Sequence, residues 1–209
     1  MKDICLVQPK EIEKKSFEII GEELESRGLH IPKDREAVVK RVIHTTADFE
    51  YVDTLTFSEN AVEIAKNLLR SGADIVTDTN MALSGINKKT LARWGGEAHC
   101  YMADENVAAQ AASRGVTRAM VSMEQAALIR KPVIFVIGNA PTALIALYEL
   151  MQKGYRPAFI IGVPVGFVNV VEAKELILRQ DVPCIVNRGR KGGSNVAAAI
   201  CNALLYQLM

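Results

Sequence analysis

The first third of the chain repeats apolar residues at roughly helical spacing. Between Glu11 and Arg27, the residues Ile12, Phe17, Ile19, Ile20 and Leu24 form a rough stripe, and Gly28 supplies a stop. Pro32 reads as the opening of a second helix, with Val38, Val39, Val42 and Ile43 on or near one face. The stretch Tyr51–Phe57 is β-prone and reads as an edge strand. Ser58 has the chemistry of an N-cap for a third helix that ends near Ser71 and Gly72. The rhythm then changes to short apolar runs: Ile75–Thr77, Ala98–Met102, Val133–Ile137, Ala158–Ile161 and Cys184–Val186. Polar or glycine residues follow each run, and then a helical pattern, as in Gly138-Asn139-Ala140-Pro141 before Thr142–Met151 and Gly189–Ser194 before Asn195–Leu208. Strands alternating with helices imply βαβ units and a parallel sheet. Runs without polar alternation imply strands covered on both faces. The prediction is an α/β fold, a three-layer α/β/α sandwich with a mainly parallel sheet of about five or six strands. One domain over residues 1–209 is expected, since no repeat, low-complexity tract or linker divides it. The helical N-terminal third could pack on the sheet or reach a partner subunit, and the pattern does not choose between these.

Composition narrows the class. The chain has 209 residues, 49% hydrophobic and 23% charged, with a formal net charge of +1. That balance gives no sign of a nucleic-acid or acidic-membrane partner, so any charge recognition must come from local clusters. Cys5, Cys100, Cys184 and Cys201 form no C-x-x-C pair and no cluster at zinc-ligand spacing. They read as buried or half-buried free thiols, and no metal site is expected. Met1–Lys10 has no apolar core of the secretory type, and no run approaches the roughly 18 apolar residues of a membrane span. These features favour the cytoplasm.

Ligands of open parallel sheets gather at the carboxyl ends of the strands. The loops expected there are Asp78–Asn87, Asp104–Asn106, Gly138–Pro141, Gly162–Phe167 and Asn187–Ser194. The last, Asn187-Arg-Gly-Arg-Lys-Gly-Gly-Ser194, sets three cations and three glycines before a helix. Such a loop suits a carboxylate or phosphate at a helix N-terminus. It reads equally as a solvated basic loop whose glycines only make the turn. The order is not that of a Walker A motif, and no G-x-G-x-x-G follows a strand, so nucleotide and S-adenosyl sites lack support. Of the three histidines, His30 reads as exposed beside Pro32, and His99 as a satisfied residue inside a strand. His44 shares a helix face with Arg41, three residues before it. A cation one turn from an imidazole could hold an anionic ligand while the imidazole moves a proton; a polar helix end with no ligand is the plainer reading. Arg118 enters a helix that carries Ser122 and Glu124.

Four segments together resemble one family: Arg41-Val-Ile-His-Thr-Thr-Ala-Asp48, Gly138-Asn-Ala-Pro-Thr-Ala-Leu144, Gly162-Val-Pro-Val-Gly-Phe-Val168 and Arg188-Gly-Arg-Lys-Gly-Gly-Ser194. In this order and spacing they are similar to the precorrin-8X methylmutases, including the cobalt-precorrin-8 methylmutases, from about Ile12 onward. The resemblance implies an isomerase of corrin biosynthesis. A methyl group moves within the substrate from C-11 to C-12 and gives hydrogenobyrinate or cobyrinate. No methyl donor or other cofactor is implied, and any cobalt is held by the macrocycle. By the same resemblance His44 protonates a ring nitrogen, and Ser16, Arg41 and Arg118 contact the substrate. The glycine loops carrying Asn139 and Gly166 would let a flat ring lie against backbone, with Arg188 and Arg190 assisting. A positioned acid typically contributes about 10²–10⁴-fold, and arginine forks match the peripheral carboxylates of a tetrapyrrole. The family is homodimeric with its site near the subunit interface. The alternatives are a tetrapyrrole carrier without chemistry and a nucleotide-using enzyme built on Asn187–Ser194. Loss of turnover with binding kept on His44→Ala separates the first, and stabilisation by nucleotides separates the second.

Overall fold

A computed structural model describes Gln8, Pro9 and residues 11–209. Along the chain run α1 (Ile12–Ser26), α2 (Glu36–Thr46), the single turn α3 (Tyr51–Thr54), β1 (Leu55–Phe57), α4 (Ala61–Arg70) and β2 (Asp74–Thr77). Two short helices, α5 (Asn80–Gly85) and α6 (Lys88–Arg93), precede β3 (Ala98–His99). Helices α7 (Glu105–Arg114) and α8 (Arg118–Ala126) lead to β4 (Val133–Ile137). Strict alternation follows: α9 (Pro141–Gln152), β5 (Phe159–Gly162), α10 (Val170–Leu178), β6 (Cys184–Asn187) and α11 (Ser194–Tyr206).

Among the described residues six strands form one sheet in the order β1-β6-β5-β4-β2-β3. All neighbours are parallel except β1, which runs antiparallel to β6. Every residue of β2, β4, β5 and β6 is buried, as the unbroken apolar runs predict. Alternate side chains divide between two cores. Ile134, Val136, Phe159, Ile161 and Ile185 point to one face, where α1, α2, α4 and α11 cover them. Val133, Phe135, Ile137, Ile160 and Val186 point to the other, under α8, α9 and α10. This is the expected three-layer arrangement. Phe135 and Phe159 are fully buried on opposite faces, and burying each such ring is worth roughly 1.5–3 kcal/mol.

Four local expectations change. Pro32 does not open α2; its carbonyl accepts from Arg35 N–H in a preceding turn, and the helix begins at Glu36. Only Leu55–Phe57 of the β-prone stretch is a strand, because Tyr51–Thr54 first makes one helical turn with Tyr51 buried. Ser58 does not cap α4 with its side chain. Its Oγ accepts from Cys184 N–H at 2.9 Å, and Asn60, at φ 53°, takes the N-cap position. The run Ala98–Met102 pairs only at Ala98 and His99. Among the cysteines, Cys184 and Cys201 are buried free thiols and Cys100 is half-buried; Cys5 lies outside the described residues.

Candidate active site

The strand order fixes where the loops part. After β2 the chain goes to β3 on one side and returns through α7 and α8 to β4 on the other. The carboxyl ends of β2 and β4 therefore lie at the switch point of the strand order, the usual ligand position in open α/β sheets. Asp78, just past β2, is fully buried there. Its Oδ1 accepts from Gly138 N–H at 2.9 Å, and its Oδ2 from Asn139 and Ala140 N–H at 2.8 and 2.6 Å. Burial pushes this carboxyl above the usual carboxylate range, while the three N–H groups pull the other way. The carboxylate thus sets the path of the loop that presents Asn139, whose residue is exposed.

Short contacts join the neighbouring loops to this point. Thr117 Oγ1 donates to Thr142 Oγ1 at 2.9 Å, which brings the start of α8, with exposed Arg118, to the start of α9. Arg118 itself reaches the Met102 carbonyl at 3.5 Å. A Cβ on Gly138 would sit 2.8 Å from Ser194 Cα, so only glycine lets α11 begin this close to β4. Gly193 N–H donates to Val163 O at 2.9 Å, and Gly166 N–H to Arg190 O at 3.2 Å. The Arg190 guanidinium lies over the exposed Phe167 ring, 5.5 Å from its centroid. Arg118, Asn139, Gly166 and Arg190 therefore occupy one connected set of loops. Arg188 sits toward β1, donating to Thr56 Oγ1 at 3.2 Å and lying 3.8 Å from Glu175.

His44, Arg41 and Ser16 are placed elsewhere. His44 is exposed in the last turn of α2, with its ring stacked on Phe17 at 5.3 Å between centroids. It faces an open cleft of about 650 Å³ lined by Pro9, Ile12, Glu13, Arg41, His44, Tyr206 and Met209. Arg41 pairs with Glu13, and its guanidinium lies 4.8 Å from the Phe17 ring centre and 5.2 Å from that of Tyr206. Ser16 is half-buried on α1, and its hydroxyl donates to Ile12 O at 2.8 Å. None of the strand-end residues lines this cleft. The nearest tie between the two groups is Asp48, four residues past His44, whose Oδ2 pairs with Lys191 Nζ at 2.6 Å. Burial pushes Asp48 up, but Lys191 and the Glu50 N–H hold it below the usual range. Lys191 also pairs with Glu50 at 2.8 Å, so this cation of the basic loop is neutralised within the chain.

The other histidines lie apart. His30 is exposed, and His99 sits 3.7 Å from Asp74 Oδ2 with its ring parallel to that of Tyr101. Sequence reasoning missed Asp78, Glu13, Phe17 and Tyr206. Asp78 had one available signal, a lone acid immediately after an apolar run. Among the described residues no three His, Cys, Asp or Glu side chains are grouped to hold a metal ion, and no helix is long and apolar enough to cross a membrane.

The reversal of strand order beside β2 places the chain among the open α/β folds, a class whose ligands commonly gather at the carboxyl edge of the sheet. Within that class the chain belongs to the precorrin-8X methylmutase family, whose sequence profile matches residues 11–207. A cobalt-precorrin-8 methylmutase of Salmonella typhimurium is 48% identical over 210 residues, 96% of each chain. The precorrin-8X methylmutase of Pseudomonas aeruginosa is 38% identical, covering 92% of this chain and 93% of its own. The crystal structure of a precorrin-8X methyl mutase from Thermus thermophilus matches with a TM-score of 0.84 at 40% identity, over 94% of this chain and 96% of its own.

Proposed function

We propose that this chain is an isomerase of cobalamin biosynthesis that moves the C-11 methyl group of cobalt-precorrin-8 or precorrin-8X to C-12, with His44 as the proton donor. The observation that carries the reading is a family match across residues 11–207, a span whose His44 imidazole lines an open cleft. An intramolecular shift needs no nucleophile and no leaving group. What the protein must supply is a proton at the ring and a fixed macrocycle. His44 is exposed and held by a stacked ring, so it is reachable and oriented. Arg41 beside it, and Arg118, Arg188 and Arg190 on the strand-end loops, suit peripheral carboxylates. Ser16, Asn139 and Gly166 complete the proposed contacts. The chain acts as one methylmutase domain of the cytoplasm.

We further propose a homodimer. It is supported by the separation of the His44 cleft from the strand-end loops and by exposed Ile12, Ile19 and Met209 on the helical side that carries the cleft. A second copy covering that side would narrow the open cleft. A solution mass of one chain at micromolar concentration would remove this part of the reading.

The decisive experiment is an anaerobic absorbance time course with each substrate, using wild type and His44→Ala. Conversion by wild type alone supports the isomerase with His44 as its acid. A spectral change equal in both proteins and saturating at one equivalent means a carrier instead. Four curated relatives at 40–48% identity carry the cobalt name, so faster conversion of the cobalt form is expected.

A further inference from the structure

Lys174 is 0% exposed in the second turn of α10. Lysines are almost never fully buried unless paired, and no carboxylate pairs with this one among the described residues. Its neighbour Glu175 faces Arg188 instead, at 3.8 Å. Helical side chains lean toward the N-terminus of their helix, which in α10 points to the carboxyl edge of the sheet. The Lys174 ammonium therefore reaches the loop leaving β6 and donates to Gly189 O and Lys191 O, each at 2.8 Å.

Every carbonyl from Arg188 to Lys191 has a donor. Asn187 Nδ2 serves Arg188 O at 3.2 Å and Lys191 O at 2.9 Å. Gly166 N–H serves Arg190 O, and Lys174 serves Gly189 O and Lys191 O. With those carbonyls turned toward the protein, the exposed residues of the loop are Arg188, Arg190 and Lys191, and Lys191 is already paired with Asp48 and Glu50, which leaves the two arginines for a ligand. Lysine suits the task because its ammonium has three donors and no acceptor on a long stem. Desolvation lowers its pKa to about 8, so it still carries its proton at neutral pH.

We propose that Lys174 is a positioning residue for substrate: its buried ammonium clamps the Arg188–Lys191 loop, so that Arg188 and Arg190 stand as a preset pair for the carboxylates of an acidic macrocycle. This rests on the isomerase reading above. Without the clamp the loop must be ordered at each binding event, which weakens binding and leaves the chemical step alone.

The test uses the full chain with Lys174→Met, and Lys174→Gln, whose shorter, uncharged side chain cannot hold both carbonyls, should the first fail to fold. Hydrogen exchange of residues 187–193 in ligand-free protein reads the clamp, and steady-state kinetics with cobalt-precorrin-8 read its use. The expected result is loop exchange faster by about tenfold or more, KM raised about tenfold, and kcat changed less than about threefold. In an Arg188→Ala/Arg190→Ala background the same substitution should raise KM by less than about twofold, because Lys174 acts through those side chains. Unchanged loop exchange in an active enzyme overturns the clamp. A KM effect that persists undiminished in the double-arginine background overturns the positioning role, since a merely structural lysine would behave that way. Faster exchange of the loop in a protein whose wild type moves no methyl group would instead overturn the isomerase reading.

Discussion

Arg41 does not wait empty for a ligand. Glu13 from α1 already pairs with it, while the rings of Phe17 and Tyr206 lie against its guanidinium. Glu13 is more than half exposed, and pairs of that kind are weak and easily exchanged. A substrate carboxylate would take the place of the Glu13 carboxylate. Glu13→Gln should therefore lower KM by about two- to fivefold, whereas Arg41→Ala and Arg118→Ala should each raise it; an unchanged KM in both arginine variants would sink their assignment. Asp78 presents the opposite case, a buried carboxylate whose three partners are all backbone N–H groups. An asparagine turns a donor toward other donors, and each stranded group costs about 1–3 kcal/mol. Asp78→Asn should lose that much or more in urea unfolding, with Asn139 displaced along with its loop.

The loops of the strand edge depend on close backbone approach. A methyl group at Gly138 would meet Ser194 Cα and N and Gly193 O, all within 2.9 Å and all backbone. Gly138→Ala should therefore push the start of α11 away from β4, at about 1–3 kcal/mol for the overpacking, and a melting temperature equal to wild type would count against that. The central strands and α9–α11 were legible in the sequence because a buried parallel strand and its following helix are each specified by their own residues. Ser58, Asp78 and Lys174 were not. Ser58 binds a backbone N–H of Cys184, Asp78 the loop after β4, and Lys174 the loop after β6. A capping serine, a loop aspartate and a helix lysine look alike in sequence whether their partner is water or a distant segment. The same reason hid Glu13 and Tyr206 from the reading of Arg41, which was seen only with His44 on its own helix. The motif glycines were legible as a group, but their purpose, letting loops from β4, β5 and α11 touch, needed the assembled sheet.

For the molecule as a whole, the buried titratable groups oppose one another above neutral pH. The folded-state pKa of Lys174, about 8, lies below its ordinary 10.5. Between those values the unfolded chain holds the proton that the folded one has shed, so this group adds stability as pH rises. Burial pushes the thiols of Cys184 and Cys201 up from 9.0 to about 11 and about 12. Above pH 9 the unfolded thiols ionise first, and their contribution falls as pH rises. Comparing wild type with Lys174→Met isolates the lysine: the stability difference should move in favour of wild type by up to about 1.4 kcal/mol per pH unit between 8 and 10.5. Urea unfolding at several pH values in that window checks it, and a constant difference would contradict it. The sheet itself ends in strands of three and two residues, β1 and β3. A border that short gives another chain almost no ladder to extend, which is how natural sheets resist edge-to-edge aggregation. Copies of this protein are thus steered to meet through helices and loops, the surfaces that carry the proposed chemistry, and crowding them together should not zip their sheets into fibres.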